Sequence, residues 1–413
     1  VASTSIDAGA AAVRWLATPE AVRVQTGKLF SAAEAGGLAH FRLDLDRLPA
    51  AADYVAATIR HNYPDLQIPG HARWRHFVVA GRDRWAEIAA GLGPVDAAER
   101  ARIRFDLAVT SVLLDAGAGA AWRYRDAATG ALLARSEGLA AASLAMFAAG
   151  LFSSDPNAPL RADADALRRL DVPALAAHFQ SGPGNRLAGL QGRCCLLNRL
   201  GEAVAAKPAF FAAGRVGHLA DYLAGLSAGN RLAARHILIA VLDALGDIWP
   251  GRLRLAGRGL GDTWPHPAAI GPGAASGLVP FHKLSQWLSY SLIEPLVERG
   301  VAVTGSAALT GLAEYRNGGL FIDTGVIVPR DPDLLATPQA PGGEPVIEWR
   351  ALTVALIDRV APLVRKNLGV DAAALPLAAI LEGGTWAAGR RIAAETRPGG
   401  APPIAIVSDG SLF

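Results

Sequence analysis

Pro280-Phe281-His282-Lys283-Leu284-Ser285-Gln286-Trp287-Leu288-Ser289-Tyr290-Ser291-Leu292 is the stretch that decides the fold class. Phe281, Leu284, Leu288 and Leu292 recur at i, i+3, i+7 and i+11, which is the spacing of one helix face. Pro280 suits a first turn, where the N–H it lacks would have had no intrahelical partner. Lys283, Gln286 and Tyr290 fall together on another face. Downstream, 309–321 continues as helix, Asp323 enters a turn near Gly325, and 330–345 is a proline-rich connector. The span 348–364 is helical again, with Pro362 expected to kink or end it.

Working upstream, 251–277 is rich in glycine and proline and is expected to be a long loop of the kind that often carries function. Amphipathic helices fill 161–245, broken at Gly182-Pro183-Gly184 and near Pro208. Asp96-Ala97-Ala98-Glu99 has capping-box spacing. It opens a core helix through Phe105, Leu107, Val109, Val112 and Leu114, which Gly117 is placed to stop in the left-handed conformation. Trp122 to Arg125 and Leu132 to Arg135, joined across Thr129-Gly130, form a small β-hairpin. The span 31–60 reads as helix, turn and helix, with strand-like alternation over 40–46. The tail 403–407 is expected to be a short edge strand. Alanine and leucine dominate, and β-branched residues are sparse. The fold class is therefore mainly α with minor β, namely the hairpin and the C-terminal strand. The length suggests two lobes, 1–180 and 181–413, the second carrying most of the site, within one compact unit.

Half the residues are hydrophobic and 19% are charged, so a large core is available and disorder is excluded. The net charge of +3 arises from 40 basic and 37 acidic residues spread without a Lys/Arg run, which argues against nucleic-acid binding. The adjacent pair Cys194 and Cys195 cannot bridge without strain, and no second pair completes a zinc site. That pattern suits a reducing compartment, so a cytoplasmic location is expected. No signal peptide is visible in 1–12, and 138–154 is too short and alanine-rich to span a membrane.

Familiar catalytic signals are missing. There is no HExxH and no Walker A loop. Gly225-Leu226-Ser227-Ala228-Gly229 matches a nucleophile elbow, but the residues before it read as helix where a strand is needed. Gly257, Gly259 and Gly261 lack a strand–helix frame. What remains is a constellation of carboxylates beside cations: Asp262 near Trp264 and His266, Lys283 after His282, Glu314 before Tyr315-Arg316, and Asp323 and Glu382 beside glycines. Each alone has an ordinary alternative as a surface or capping carboxylate or as a packing residue. No metal site and no cofactor are expected. The expected partner is a small nucleoside-like molecule, with no nucleic acid and no membrane. Oligomeric state is not legible.

Several stretches together resemble the uracil-catabolism (Urc/Urg type) family, a family of unknown molecular function. They are Pro69-Gly70-His71-Ala72-Arg73-Trp74-Arg75-His76-Phe77, Ser111 to Gly119, Arg135-Ser136-Glu137-Gly138-Leu139, Gly261 to His266, and Leu381-Glu382-Gly383-Gly384-Thr385-Trp386. A more distant likeness is chemically informative. Pro280 to Gln286, Leu309 to Arg316 and Glu348-Trp349-Arg350-Ala351 are similar, in order, to three runs of the queuosine-salvage nucleotide glycosidases. This second resemblance implies a DNA-glycosylase-like helical fold and cleavage of an N-glycosidic bond. By position, Glu314 takes the place of the catalytic aspartate and Lys283 that of a phosphate-contacting lysine. Glu for Asp moves the carboxylate outward by roughly 1.5 Å. Asn317-Gly318-Gly319 departs from the family run, so base recognition is expected to differ.

The resemblance implies an enzyme that releases urea from ribosylurea or its 5′-phosphate. Glu314 would stabilise the cationic sugar, and Asp262 or His266 would serve the leaving group as an acid. Lys283 and an arginine such as Arg316 would hold phosphate. His71, Arg73 and Trp74 would wall the urea end. The alternatives are an amidohydrolase acting on the ureido group and a non-catalytic binding partner.

Overall fold

The computed structural model describes residues 2–249 and 253–407. Helices dominate, and every sheet is a two-stranded pair, so the architecture is mainly α with minor β. The chain divides into two compact units, each assembled from separated segments. The first comprises Val1–His71, Leu253–Gln286 and Ser306–Val407; the second comprises Ala72–Arg252 and Trp287–Gly305. The boundary is thus not at residue 180, because the first unit is completed by segments from both ends of the sequence.

In the first unit the long helix Glu344–Leu368 packs against Pro19–Glu34 and Leu48–Asn62. Thr18 starts Pro19–Glu34 by accepting the Ala21 N–H at 3.1 Å, with proline at the first helical position. The long helix ends at Gly369, whose φ of 72° is the left-handed conformation glycine adopts without strain. Pro362 lies inside this helix and does not end it, one of the two outcomes expected of it. Val22, Leu29, Val279, Phe281, Ala313, Ile347, Ala351 and Val354 share one buried cluster, with Trp264 packed on it. Fully burying side chains of this kind contributes about 1.5–3 kcal/mol each.

The described part of 251–277 is not plain loop; residues 250–252 lie outside the described residues. Arg254–Leu255 pairs with Arg258–Gly259, and Thr263–Pro265 pairs antiparallel with Leu278–Pro280. Pro280 therefore closes a strand, and helix Lys283–Glu298 starts after His282, whose φ is 50°. Phe281 thus precedes the helix; it is buried together with Leu284, Leu288 and Leu292, and so are Lys283, Gln286 and Tyr290. Strand Phe41–Leu43 pairs antiparallel with Ile327–Pro329. The tail holds only a single bridge, Gln339 with Ile406, rather than a strand, since too few of its residues align with a neighbour.

In the second unit, helix Ala97–Leu113 begins as expected, Asp96 accepting the Glu99 N–H at 2.6 Å. Glu99 does not reach back; it pairs with Arg102 and Arg215, where opposite charge outweighs a cap bond. The helix stops at Leu113, and the left-handed glycine that follows is Gly119 rather than Gly117. The hairpin is present, Tyr124–Arg125 against Leu132–Leu133. The alanine-rich helix Arg135–Ala148 is buried along most of its length. Among the described residues, no helix is long and apolar enough to cross a membrane. Both cysteines are free thiols, one buried and one exposed.

Candidate functional site

Arg350, which the sequence reading did not single out as a site residue, organises the first unit. It projects from the long helix and is 2% exposed. Its Nη1 and Nη2 donate to Asp262 Oδ1 and Oδ2 at 2.8 and 2.7 Å, a bidentate pair. Its Nε donates to the carbonyl of Ala313 at 3.1 Å, and its guanidinium lies 4.1 Å from the Phe281 ring centre. Asp262 also accepts from Trp264 Nε1 at 2.8 Å and from the Lys283 N–H at 3.0 Å. The neighbouring motif runs are tied in too, Gln286 Oε1 accepting the Thr310 N–H at 3.4 Å. Three stretches far apart in sequence thus meet at one guanidinium.

This geometry decides the protonation of Asp262. Burial alone would raise its pKa, but the charge and hydrogen bonds of Arg350, with the Trp264 and Lys283 donors, hold it well below the usual carboxylate range. Asp262 is therefore ionised and cannot give a proton to a leaving group. The expected acid role is corrected to that of an anchor for Arg350 and for the start of helix Lys283–Glu298.

Glu314 is buried and is the N-cap of helix Tyr315–Asp323. One carboxylate oxygen accepts the Arg316 N–H at 2.8 Å and the other the Asn317 N–H at 2.6 Å. Asn317 Nδ2 donates to the Leu312 carbonyl at 3.1 Å, closing the turn. The Arg316 side chain donates to the Gly400 carbonyl at 2.9 Å and lies over Tyr315. Glycines let neighbours close in. A Cβ at Gly318 would fall 2.6 Å from Trp349 Nε1, and one at Gly389 would collide with the Arg316 carbonyl. Gly318 and Gly319 are thus held by close packing, the latter against Pro403.

His266 and Trp264 flank Asp262. The Trp264 ring lies against the backbone at Gly342, where no side chain would fit. His266 Nδ1 accepts the Ala268 N–H at 3.1 Å, so the ring proton sits on Nε2. That nitrogen is 3.6 Å from Glu344 Oε1 and 3.7 Å from Glu348 Oε1. In this tautomer Nε2 is a hydrogen-bond donor directed at two carboxylates. Glu348 accepts the N–H groups of Ala39, His40 and Phe41 at 3.0, 3.0 and 3.2 Å. It thereby fixes the turn that carries His40. The His40, Glu344 and Glu348 ligand atoms lie within 4.8 Å of one another. The sequence reading missed this group, although Glu344 and Glu348 stand at i, i+4 on one helix face.

The remaining candidates separate. His282 Nε2 meets the Leu16 carbonyl at 2.9 Å, and burial pushes its pKa down. His71 Nδ1 lies 2.5 Å from Glu382 Oε2, and both are buried. Glu382 belongs to a π-helical turn, Ile380–Trp386, an arrangement found often at functional sites. This turn packs against the helix that Glu314 caps. Asp323 is not in a turn; it ends that helix and takes a bidentate pair from Arg397 at 2.7 and 2.5 Å, which makes it a structural anchor. Arg73 and Trp74 belong to the second unit and find their partners there. Arg73 donates to Ser111 and Asp115, both at 2.7 Å, and Trp74 Nε1 donates to the Ser291 carbonyl at 2.7 Å.

Residues 15–413 match the family described as "Protein of unknown function (DUF1688)". The chain belongs to that family. It is 38% identical to "Protein urg3" of Schizosaccharomyces pombe, over 95% of this chain and 96% of the relative. It is 36% identical to "Uracil catabolism protein 4" of Lachancea kluyveri, over 97% and 99% respectively. The family resemblance drawn from the motifs therefore holds over nearly the full chain.

Proposed function

We propose that this DUF1688 protein acts in uracil catabolism as an N-glycosidase, releasing urea from ribosylurea or its 5′-phosphate. The name of the Lachancea relative supports the pathway. The observation that carries the chemistry is the convergence at Arg350 of the three runs similar to the nucleotide glycosidases. Arg350 bonds to Asp262, which holds the Lys283 N–H, and to the carbonyl immediately before Glu314.

In this reading the bond from the anomeric carbon to the ureido nitrogen breaks, and charge builds on the sugar. Glu314, its carboxylate fixed by two backbone donors, faces that charge and orients the attacking water. Lys283 binds a 5′-phosphate through its side-chain ammonium, by charge-assisted hydrogen bonds. His71, oriented by Glu382, replaces Asp262 as the group that protonates the departing nitrogen. A second reading, an amidohydrolase acting on the ureido carbon, gains support from the grouping of His40, Glu344 and Glu348, a donor set able to hold a metal.

Incubating the pure protein with ribosylurea and with its 5′-phosphate, with and without chelator, separates the readings. Ribose or ribose phosphate with urea supports the glycosidase. Ammonia and carbamate support the amidohydrolase, and bound but intact substrate indicates a carrier. Glu314→Gln keeps one acceptor but turns its amide N–H₂ toward a backbone donor. It should weaken the cap by about 1 kcal/mol and lower turnover by at least about 100-fold. Near-normal turnover in the folded variant removes Glu314 from the chemistry.

A further inference from the structure

We propose that His40, Glu344 and Glu348 form a binding site for one divalent transition metal ion, with His266 donating a hydrogen bond to an oxygen held by that ion. The ligand atoms of the three residues already converge within 4.8 Å. His40 Nε2 is 3.8 Å from Glu344 Oε2. Among the described residues, neither glutamate is paired with a lysine or arginine, so two carboxylates face each other without a fixed cation between them. The three N–H bonds to Glu348 hold its carboxylate in place and leave lone-pair capacity on Oε1, which among the described residues accepts only the Ala39 N–H.

The independent observation is His266. Its side chain is 2% exposed, its proton is fixed on Nε2 by the Ala268 N–H, and among the described residues that Nε2 has no hydrogen-bond partner. It points toward the gap between Glu344 Oε1 and Glu348 Oε1, each too far to accept directly. A water or hydroxide bound to a metal in that gap supplies the missing acceptor. The side chains of His40 and Glu344 are 32% and 45% exposed, so the ion is reachable and keeps positions open for water or a ligand. An imidazole beside two carboxylates suits zinc or manganese better than magnesium or calcium.

The test uses the full chain, stripped with chelator and then titrated with zinc chloride by calorimetry, without substrate. Cobalt(II) chloride in parallel reports ligand geometry through its visible absorption. One equivalent of metal should bind, and His40→Ala and Glu344→Gln should each weaken binding at least 10-fold. Both altered side chains are partly exposed, and circular dichroism checks their fold; Glu344→Gln is nearly isosteric and carries the test alone if His40→Ala unfolds. Absence of stoichiometric uptake, or uptake unchanged in these variants, overturns the proposal. Because metal uptake is read without substrate, this outcome is separable from failure of the glycosidase reading.

Discussion

Replacing Arg350 by methionine keeps much of the side-chain volume and removes the charge. The wild-type guanidinium is 2% exposed, gives Asp262 two hydrogen bonds and gives the Ala313 carbonyl a third. Without it, Asp262 is left as a buried carboxylate with only the Trp264 and Lys283 donors. Breaking a buried pair from one side costs about 3–5 kcal/mol, or more than a hundredfold in the folding equilibrium. Urea unfolding of both proteins, followed by tryptophan fluorescence and circular dichroism, measures the difference. Its pH dependence has a definite sign. The wild-type Asp262 has a folded pKa depressed below its ordinary value of 3.8, so its contribution is complete above that value and is lost only at more acidic pH. In Arg350→Met the depression is removed and the neutral acid is tolerated. The stability gap should therefore narrow as the pH falls toward about 4. Adding Asp262→Asn should recover part of the loss, since no unpaired charge then remains. A loss below about 1 kcal/mol, or a gap that does not change with pH, refutes the argument.

Asp106 tests linkage of the opposite sign. Burial, opposed by Arg215 and the Gly217 N–H, pushes its pKa up to about 7. Its contribution is complete below the unfolded value of 3.8 and is lost as pH rises through about 7. The urea midpoint of wild type should accordingly fall relative to that of Asp106→Asn from pH 4 to pH 7. Gly389→Ala drives a methyl into the Arg316 backbone and should cost at least about 1–3 kcal/mol by overpacking; thermal melting within about 1 kcal/mol of wild type would contradict the close approach. Glu382→Gln removes the carboxylate charge from the His71 contact and should cost about 1.5–3 kcal/mol, measured the same way.

The helical class was legible because Phe281, Leu284, Leu288 and Leu292 repeat at helical spacing, and Asp96 and the 122–135 hairpin carry strong local signals. Element boundaries were less legible where tertiary contacts override local preference. Pro280 reads as a helix start, yet pairing of Leu278–Pro280 with Thr263–Pro265 delays that helix to Lys283. Gly117 reads as a stop, yet the chain turns at Gly119. At the candidate site, Asp262, Glu314 and Lys283 were identified, but which carboxylate keeps its charge depends on Arg350, 88 positions away from Asp262. The grouping of His40 with Glu344 and Glu348 was invisible for the same reason: local spacing reveals the two glutamates and says nothing of a histidine some three hundred residues earlier.

The segmented make-up of the first unit bears on how the protein is made. As the chain leaves the ribosome, Pro19–Glu34 and Leu48–Asn62 emerge long before the helix that covers them, Glu344–Leu368. Their apolar faces must wait through the translation of nearly the whole intervening sequence, at roughly 5–20 residues per second. The nascent chain should therefore call on chaperones that shield such surfaces. Products truncated just before Glu344, and so lacking the covering helix, should be insoluble and quickly degraded.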